Sequence, residues 1–357
     1  MNAHSSSKIT RSRKSFLDLS QKNDQFFEMK MSVKTRFICI IRRDAIRGKE
    51  PKNLSWSVLL AVIFWGFSFI ATKVALREVD PFTLVTLRFG IGALLLLIIQ
   101  LHQRRRLFGV FSRRDWVYVV LLAAIGIAGH NLLQAHGLLY TTAINAGWII
   151  AIQPIFIMIA ARLFLGEAIT VRKMTGIVLG FSGIFLVISK GVFSLSTFHY
   201  VSTFGDLLVL ISTMTWSAFT VGGRGFLSRF SPLAAITPIM IVGWLITFLL
   251  CSQRGEWSRL FHLSLSVWAG ILFLGIFCSG LAYFFWYSAL EKRDSSTVGM
   301  HLYLIPLVTL TGSFFLLSEE IKLTTLTGGG MILAGVYLAT RRISGHLRTK
   351  NLDMPVN

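Results

Sequence analysis

The chain has 357 residues, of which 54% are hydrophobic and only 15% are charged. Because soluble globular domains carry about 25% charged residues, this balance excludes water as the solvent for most of the chain. The formal net charge of +20 would indicate a nucleic-acid partner only if it lay on one soluble face. About a third of the basic residues precede residue 54 and most others lie in short polar connections, so we expect no nucleic-acid binding.

The amino-terminal segment, residues 1–53, is polar, serine-rich and basic. This composition predicts a mobile cytoplasmic segment, with a loosely membrane-associated helix as the alternative. The apolar run 37–41 is too short for the core of a signal peptide. The three cysteines form no spaced pair, so we predict no disulfide, no metal site and no cofactor.

Apolar runs recur through the rest of the chain, and a membrane helix needs about 20 mostly apolar residues. The runs are 55–76, 81–101, 116–137, 143–165, 174–189, 205–222, 233–251, 266–290, 298–317 and 324–340. They predict an all-α integral membrane protein with ten transmembrane helices. Residues 343–357 form a carboxy-terminal tail.

An internal duplication organises these runs, because the pattern of residues 140–170 returns at residues 292–322. The matched pairs are Gly147 and Gly299, Pro154 and Pro306, Leu165 and Leu317, Glu167 and Glu319, Trp116 and Trp268, Gly176 and Gly328, Gly183 and Gly335, and, shifted by one residue, Trp65 and Trp216. Such repeats are common in membrane transporters. We therefore predict two five-helix repeats, 54–190 and 205–342.

The basic residues predict the orientation, because Lys and Arg in short loops stay on the cytoplasmic side. Their distribution favours a cytoplasmic position for both termini. Five helices per half is an odd number, so equivalent loops must lie on opposite faces. The connection at 140–142 has no basic residue, whereas its counterpart contains Lys292 and Arg293. This switch of charge predicts that the two repeats are inverted.

Pro154 and Pro306 lie near the middle of matched apolar runs. Each removes a backbone hydrogen bond and clashes with the preceding turn, so the freed carbonyls need partners in a cavity or on neighbouring helices. Matched interruptions in two halves are typical of a transport site or its hinges. A simple structural kink is the alternative.

Polar side chains within the apolar runs are costly and normally face the protein interior. The third run contains His130, Asn131 and Gln134, and the equivalent level of the eighth run contains Tyr283 and Trp286. We predict a transport path that is polar on one wall and aromatic on the other.

Further residues of the predicted path flank the two prolines. Gln153 is adjacent to the first proline, and His301 and Tyr303 precede the second. Trp65 is expected to form part of the aromatic wall. Two interpretations of His301 stay open: it is hydrogen-bonded to the neighbouring backbone, or it titrates near neutral pH and couples transport to protons.

Three charged residues are predicted to have structural roles. Arg88 lies about a third of the way into the second run, where it must form a pair or reach the interface. We favour an ion pair or a carbonyl cap over contact with substrate. Glu167 and Glu319 lie at the ends of runs, where they are expected to cap or anchor helices rather than bind cations.

Several short motifs together resemble the drug/metabolite transporter superfamily, in its EamA-like branch of ten-helix permeases. They are Trp65-Gly66-Phe67-Ser68-Phe69, Arg88, Tyr140-Thr141-Thr142-Ala143, Pro154 and Leu165-Gly166-Glu167, with looser repeats as Gly205-Asp206, Trp216-Ser217-Ala218, Pro306 and Ser318-Glu319-Glu320. The sequence departs from the pattern at Ser318, which stands where the first half has Gly166, and the turn there is expected to pack less tightly. The 53-residue leader is also unusual.

The resemblance implies a multi-pass permease of the bacterial inner membrane that exports or exchanges small organic metabolites. Amino-acid-like, amphipathic and drug-like solutes remain open as substrates, as do proton coupling, metabolite uptake and nucleotide-sugar exchange. The expected partners are the lipid bilayer and a small-molecule substrate, with the protein as a monomer or a weak homodimer. The sequence has no Walker motif that would indicate an ATP-driven pump. It also has no ring of like charges that would indicate a channel, and no clustered nucleophile and base that would indicate an enzyme.

Overall fold

The structure, a computed structural model, describes residues 56–102, 111–165, 170–189, 201–227, 229–253, 257–292 and 295–340. All regular elements in these ranges are helices. The two predicted tails, residues 1–53 and 343–357, lie outside the described residues, and so does Glu167.

The helices follow the predicted order of the two halves. In the first half they are α1 (Trp56–Ala75), α2 (Pro81–His102), α3 (Arg113–Tyr140), α4 (Ala143–Ile150), α5 (Gln153–Leu165) and α6 (Val171–Ser189). In the second half they are α7 (Val201–Leu227), α8 (Pro232–Ser252), α9 (Leu265–Lys292), α10 (Ser295–Gly299), α11 (Leu304–Leu317) and α12 (Leu323–Thr340). Short 3₁₀ turns precede α9 (Trp257–His262) and α11 (Met300–Tyr303).

Seven helical segments in the described part of the chain are long and apolar enough to cross a membrane. Six of them are α1, α2, α3, α7, α8 and α9, and the seventh, Ala143–Ala160, crosses the junction of α4 and α5. Shorter apolar helices, Met174–Ser189, His301–Leu317 and Leu323–Leu338, occupy the positions of the predicted fifth, ninth and tenth spans. The helical membrane fold is confirmed, with seven long spans and three shorter apolar helices where the sequence predicts ten spans.

The helices begin where polar side chains can satisfy their first backbone amides. The carboxylate of Asp80 accepts hydrogen bonds from the amides of Phe82 (2.9 Å) and Thr83 (3.2 Å) at the start of α2. Ser112 and Asp115 form a reciprocal capping box at the start of α3. These caps fix the ends of helices whose interiors are almost wholly apolar.

The two halves pack through equivalent helices. α2 contacts α8 and α6 contacts α12, and in each pair the second helix is the repeat of the first. α1 contacts α9 and α11, while its repeat α7 contacts α3, α4 and α5. Most of these contacts between the halves therefore have a counterpart in which the roles of the halves are exchanged.

Glycines allow α6 and α12 to approach at backbone distance. A Cβ atom built on Gly183 would lie 2.5 Å from the carbonyl oxygen of Gly328, and one built on Gly335 would lie 2.5 Å from the amide nitrogen of Gly180. Small residues of this kind permit close helix packing in lipid, where the hydrophobic effect does not drive helices together. The contact joins the last helices of the two halves.

The turn after α11 has a conformation that usually requires glycine. Ser318 has a φ of 53°, in the left-handed region where side chains are disfavoured, and it is the only such non-glycine residue in the described ranges. The next amide, that of Glu319, donates to the carbonyl of Ser313 at 3.3 Å, which closes the helix end. In the sequence repeat, Ser318 stands at the position that Gly166 has in the first half, and Gly166 lies outside the described residues.

This turn directs Glu319 towards the first half. Its two carboxylate oxygens accept hydrogen bonds from the amides of Ala143 (2.9 Å) and Ile144 (3.0 Å), the first residues of α4. A carboxylate at a helix amino terminus is favoured by the unpaired amides and by the helix dipole. The half-buried ammonium of Lys73 also interacts electrostatically with Glu319, so one residue joins α1, α4 and α11.

We predict that Gly328→Ala lowers the melting temperature of the purified protein. The added Cβ would lie 2.7 Å from the carbonyl oxygen of Gly183, and relieving such a clash costs about 1–3 kcal/mol. The control is Gly330→Ala on the same helix, where no atom lies within 4 Å of the new Cβ and the better helix propensity of alanine favours stability. Equal melting temperatures for the two variants would contradict the close helix contact.

We also predict that Glu319→Gln destabilises the protein, because the amide keeps one oxygen acceptor but loses the charge. The expected cost is about 1 kcal/mol, measured as a lower melting temperature in detergent. Glu320→Gln, which alters the adjacent exposed carboxylate, should leave the melting temperature unchanged. A similar loss in both variants would show that the cap on α4 contributes little.

Candidate functional site

A cavity lies between the two halves, near the middle of the long helices. Its volume is about 30 Å³, and a water molecule needs about 10–15 Å³ measured in this way, so it has room for about two waters. The residues that line it are Trp65, Ser68, Phe69, Arg88, His130, Asn131, Gln134, Ile150, Gln153, Trp216, Tyr283, Leu302 and Ile305.

Six of the nine residues predicted for the transport path line this cavity, namely Trp65, His130, Asn131, Gln134, Gln153 and Tyr283. The other three do not line it. Trp286 is fully buried and packs against Trp65 with ring centroids 5.2 Å apart. His301 is half-buried, and its Nδ1 lies 3.1 Å from the carbonyl oxygen of Val298, three residues earlier in the chain. Tyr303 packs against the apolar core.

The polar side of the cavity is formed by α3. Nδ1 of His130 lies 2.9 Å from the carbonyl oxygen of Ser212, and because a carbonyl only accepts, this nitrogen carries the hydrogen. In the neutral ring Nε2 is then an acceptor. The amide of Asn131 donates to the carbonyl of Ile127 (2.9 Å) and to the hydroxyl of Tyr283 (3.2 Å).

Gln134 differs from its neighbours on α3. Its side chain is 8% exposed and lines the cavity, and no described residue hydrogen-bonds to it. Gln153 also lines the cavity, from the start of α5, where its backbone carbonyl accepts a hydrogen bond from Ser217 at 3.3 Å. These two amides are the groups best placed to meet a polar solute.

Two π-helical turns lie immediately before these polar and aromatic residues, and the sequence did not predict them. They are Ala123–Gly129 in α3 and Leu274–Leu281 in α9, at equivalent levels of the two halves. A π turn disturbs the regular backbone pairing and is frequent at functional sites. Backbone carbonyls of both turns accept hydrogen bonds from side chains. The indole of Trp65 donates to the carbonyl of Cys278 at 3.0 Å, and the side-chain amide of Asn131 donates to the carbonyl of Ile127.

The aromatic side is centred on Trp65. Its ring centroid lies 5.0 Å from that of Trp216 and 5.7 Å from that of Tyr283, with the ring planes nearly perpendicular. Edge-to-face packing of this kind is favourable for aromatic rings. Nε1 of Trp216 is buried and has no hydrogen-bond partner among the described residues, although Trp216 lines the cavity.

Arg88 lines the cavity, although the sequence predicted a structural role for it. The residue is 4% exposed, its Nε donates to the hydroxyl of Ser279 at 3.0 Å, and its guanidinium carbon lies 5.1 Å from the ring centroid of Phe89. The predicted ion pair or carbonyl cap is not formed with any described residue. The reason is that α2 packs on the π turn of α9, which presents a hydroxyl rather than a carboxylate.

The two prolines lie next to interruptions of the helices that border the cavity. Between α4 and α5, the amides of Ala151 and Ile152 donate to carbonyls three residues earlier in the chain, in place of the four residues of a regular α-helix. Pro154 lies in the first turn of α5, where its missing amide is tolerated. In the second half, the 3₁₀ turn Met300–Tyr303 leads into α11, in which Pro306 is the third residue.

Equivalent polar contacts join the halves away from the cavity. Arg229, in the connection after α7, binds Asp115 in the first turn of α3 with N–O distances of 2.6 and 3.3 Å. Glu78, in the connection after α1, accepts a hydrogen bond of 2.7 Å from the amide of Ser264 before α9. The hydroxyl and amide of Ser264 hold the pKa of the Glu78 carboxyl below its usual value. Glu78 and Arg229 are equivalent in the repeat, as are Ser112 and Ser264.

No cluster of three or more His, Cys, Asp or Glu side chains that could hold a metal ion occurs within the described ranges. The donor set at the cavity therefore consists of amides, a histidine, hydroxyls, indoles and one guanidinium. Such groups bind an organic solute through hydrogen bonds, charge and ring stacking.

Comparison with known proteins identifies the kind of molecule to which this site belongs. The sequence pattern of the EamA-like transporter family matches residues 54–189 and again residues 203–341. A protein of Archaeoglobus fulgidus described as an uncharacterized transporter is 32% identical over 80% of this chain and 99% of the relative. The Bacillus subtilis protein YyaM, described in the same way, is 29% identical over 78% of this chain and 90% of the relative.

A probable terminal-alkyne amino-acid exporter of Streptantibioticus cattleyicolor is 26% identical over 82% of this chain and 95% of its own length. A solved crystal structure has the same fold, with a TM-score of 0.61 at 20% identity over 81% of this chain and 99% of that chain. The family pattern occurs twice and covers most of the sequence, in agreement with the resemblance seen in its motifs. The chain therefore belongs to the EamA-like transporter family and is a multi-pass membrane protein.

Proposed function

We propose that the protein is a secondary transporter that exports or exchanges small organic metabolites by alternating access around the cavity. The observation that carries this proposal is the composition of the cavity, which takes residues from both repeats. The first half contributes the polar group of His130, Asn131 and Gln134, and the second contributes Trp216 and Tyr283. A site shared by two repeats changes its access when one repeat moves against the other.

The proposal includes ten membrane spans arranged as two inverted repeats in the bacterial inner membrane, with both termini in the cytoplasm. The matched helix contacts between the halves support this arrangement. With inverted repeats, the Arg229–Asp115 contact lies at the cytoplasmic face and the Glu78–Ser264 contact at the opposite face. One such contact at each face is what alternating access requires, because each face must close while the other is open.

The size of the cavity supports a conformational cycle. A volume of about 30 Å³ holds waters but not an amino acid or a drug-like solute, since ligand sites usually have about 300–1,000 Å³. Transport therefore needs a rearrangement that enlarges the cavity. The interruptions before Pro154 and Pro306 are suitable hinges, because the backbone there already departs from regular helical pairing.

An amino-acid-like solute is favoured over a nucleotide sugar. A nucleotide sugar carries two phosphoryl charges, and Arg88 is the only cationic side chain among the residues that line the cavity. The Streptantibioticus relative, named as a probable amino-acid exporter, supports the same choice. Uptake of a metabolite in place of export would use the same site, and the direction depends on the gradients that drive it.

The inverted arrangement predicts opposite accessibility at two equivalent serines. Ser112 and Ser264 are both exposed and precede α3 and α9. In a variant without the three native cysteines, Ser264→Cys should react with a membrane-impermeant thiol reagent added outside intact cells. Ser112→Cys should react only after the membrane is permeabilised. Reaction of both positions from the same side would refute the inverted repeat.

The transport proposal is tested with the purified protein in proteoliposomes and a panel of radiolabelled amino acids and related metabolites, with and without a proton gradient. We expect saturable flux of at least one solute. Gln134→Leu, which keeps the volume but removes the free amide, should raise KM about tenfold, the effect of losing one or two hydrogen bonds.

The matched control for this variant is His136→Leu. His136 lies on the same helix, does not line the cavity, and hydrogen-bonds through Nδ1 to the carbonyl of Leu132 at 2.8 Å. Its replacement should leave KM unchanged. Equal KM values for Gln134→Leu and the unmodified protein would remove the cavity from the transport path, and the absence of flux for every solute would refute the proposed function.

A further inference from the structure

We propose that, in the cavity, Arg88 binds the carboxylate of an organic solute that has a single carboxylate group, with the buried indole of Trp216 as a second donor. This inference rests on the proposed transport function and names the chemical class of the substrate. It assigns to Arg88 a contact with the solute in place of a structural ion pair.

The guanidinium of Arg88 is buried and has few partners. The residue is 4% exposed, and among the described residues its side chain has one hydrogen-bond partner, the hydroxyl of Ser279, which accepts from Nε. No described carboxylate pairs with it. A buried charge without a counter-ion is costly, and the ring of Phe89 at 5.1 Å offsets only part of that cost. The two terminal nitrogens remain available to an anion that enters the cavity.

A second, independent observation points to the same kind of ligand. Several buried polar atoms lack a hydrogen-bond partner in the described part of the chain, including the indole nitrogens of Trp148 and Trp286, and Nε1 of Trp216 is the one among them whose residue lines the cavity. An indole only donates, so the missing partner must be an acceptor. Trp216 and Arg88 both line the cavity, and an anion with two oxygens can accept hydrogen bonds from both.

The charge of the lining restricts the anion. Arg88 is the only residue with a formal charge among the described residues that line the cavity, so one carboxylate on the solute is enough to pair with it. Guanidinium groups also match the planar geometry of a carboxylate in a two-point contact. The remaining walls, including Trp65, Phe69 and Ile305, are apolar and suit a hydrocarbon or aromatic body. A monocarboxylate fits these features better than a phosphate, which carries more charge.

The test uses the purified full-length protein and two matched pairs of probes, 3-phenylpropionate with 3-phenylpropanamide and phenylalanine with phenylalaninamide. Binding is measured by quenching of tryptophan fluorescence and by thermal shift, with inorganic phosphate as a fifth probe. In each pair the carboxylate should bind at least tenfold more tightly than its amide, the usual effect of losing a charged hydrogen bond. Phosphate should not bind.

Variants then assign the preference to one side chain. Arg88→Gln should reduce the preference for carboxylate over amide to less than about threefold, and Arg88→Lys, which keeps the charge but loses the planar fork, should restore part of it. Arg77→Gln, at an exposed arginine outside the cavity, should behave like the unmodified protein. If Arg88→Gln does not fold, Arg88→Lys takes its place: its carboxylate preference should fall below that of the unmodified protein, and an undiminished preference would reject the role of Arg88.

The inference would be overturned by amides that bind as tightly as their carboxylates, by no binding of either carboxylate, or by a carboxylate preference that persists in Arg88→Gln. Tight binding of phosphate would equally reject a monocarboxylate site. Failure of the proposed function has a different signature, because carboxylates would then bind with the expected preference while no solute crosses the proteoliposome membrane. Saturable flux of uncharged solutes without any carboxylate preference would retain the transporter and reject the role of Arg88.

Discussion

A polar group within a bilayer must find its hydrogen-bonding partner inside the protein, and this requirement accounts for the arrangement around the cavity. The side chains of His130, Asn131 and Trp65 each bind a backbone carbonyl. Two of those carbonyls belong to π-helical turns, Ile127 in α3 and Cys278 in α9. The departures from regular helix thus supply acceptors at the depth where water is absent.

The same requirement distinguishes the groups that hold the structure from those that are available to a solute. His130 and Asn131 direct at least one nitrogen to the protein, so they fix α3 against α7 and α9. Gln134, Trp216 and the terminal nitrogens of Arg88 have no such partner in the described ranges. A cavity lined by both kinds of group combines a rigid frame with unsatisfied donors, which favours binding of a solute that accepts hydrogen bonds.

Much of this arrangement could be predicted from the sequence, because the signals are local. Apolar runs mark the spans, and matched glycines and prolines mark the repeat. Polar residues at one level, such as Asn131 and Gln134, indicate the cavity because their cost in lipid leaves few other positions. Ser318 is visible in the sequence as a departure from the repeat, but its left-handed conformation follows only from the structure.

Other features could not be predicted, because they depend on contacts distant in sequence. The direction of a side chain such as His301 or Trp286 depends on helix rotation, and an error of one residue in the phase turns that direction by about 100°. The sequence predicts an ion partner for Arg88, yet its neighbour Ser279 lies 191 residues away on a π turn. The local signal of the π turns is limited to pairs of glycines in the two segments, namely Gly126 with Gly129 and Gly275 with Gly280.

Contacts between the halves differ in strength. We expect the halves to move apart where these contacts are weak and to stay packed where they are strong. The Arg229 side chain is 53% exposed, although that of Asp115 is only 1% exposed, and an ion pair that water reaches on one side is weakened towards the value of exposed pairs, roughly 0–1 kcal/mol. When it opens, the buried Asp115 loses its counter-ion but keeps its hydrogen bonds to Ser112, which stabilise the carboxylate in part. The backbone contact of Gly183 with Gly328 has no such alternative partner. Motion that opens the cavity is therefore expected at the connections after α1 and α7, while α6 and α12 remain packed.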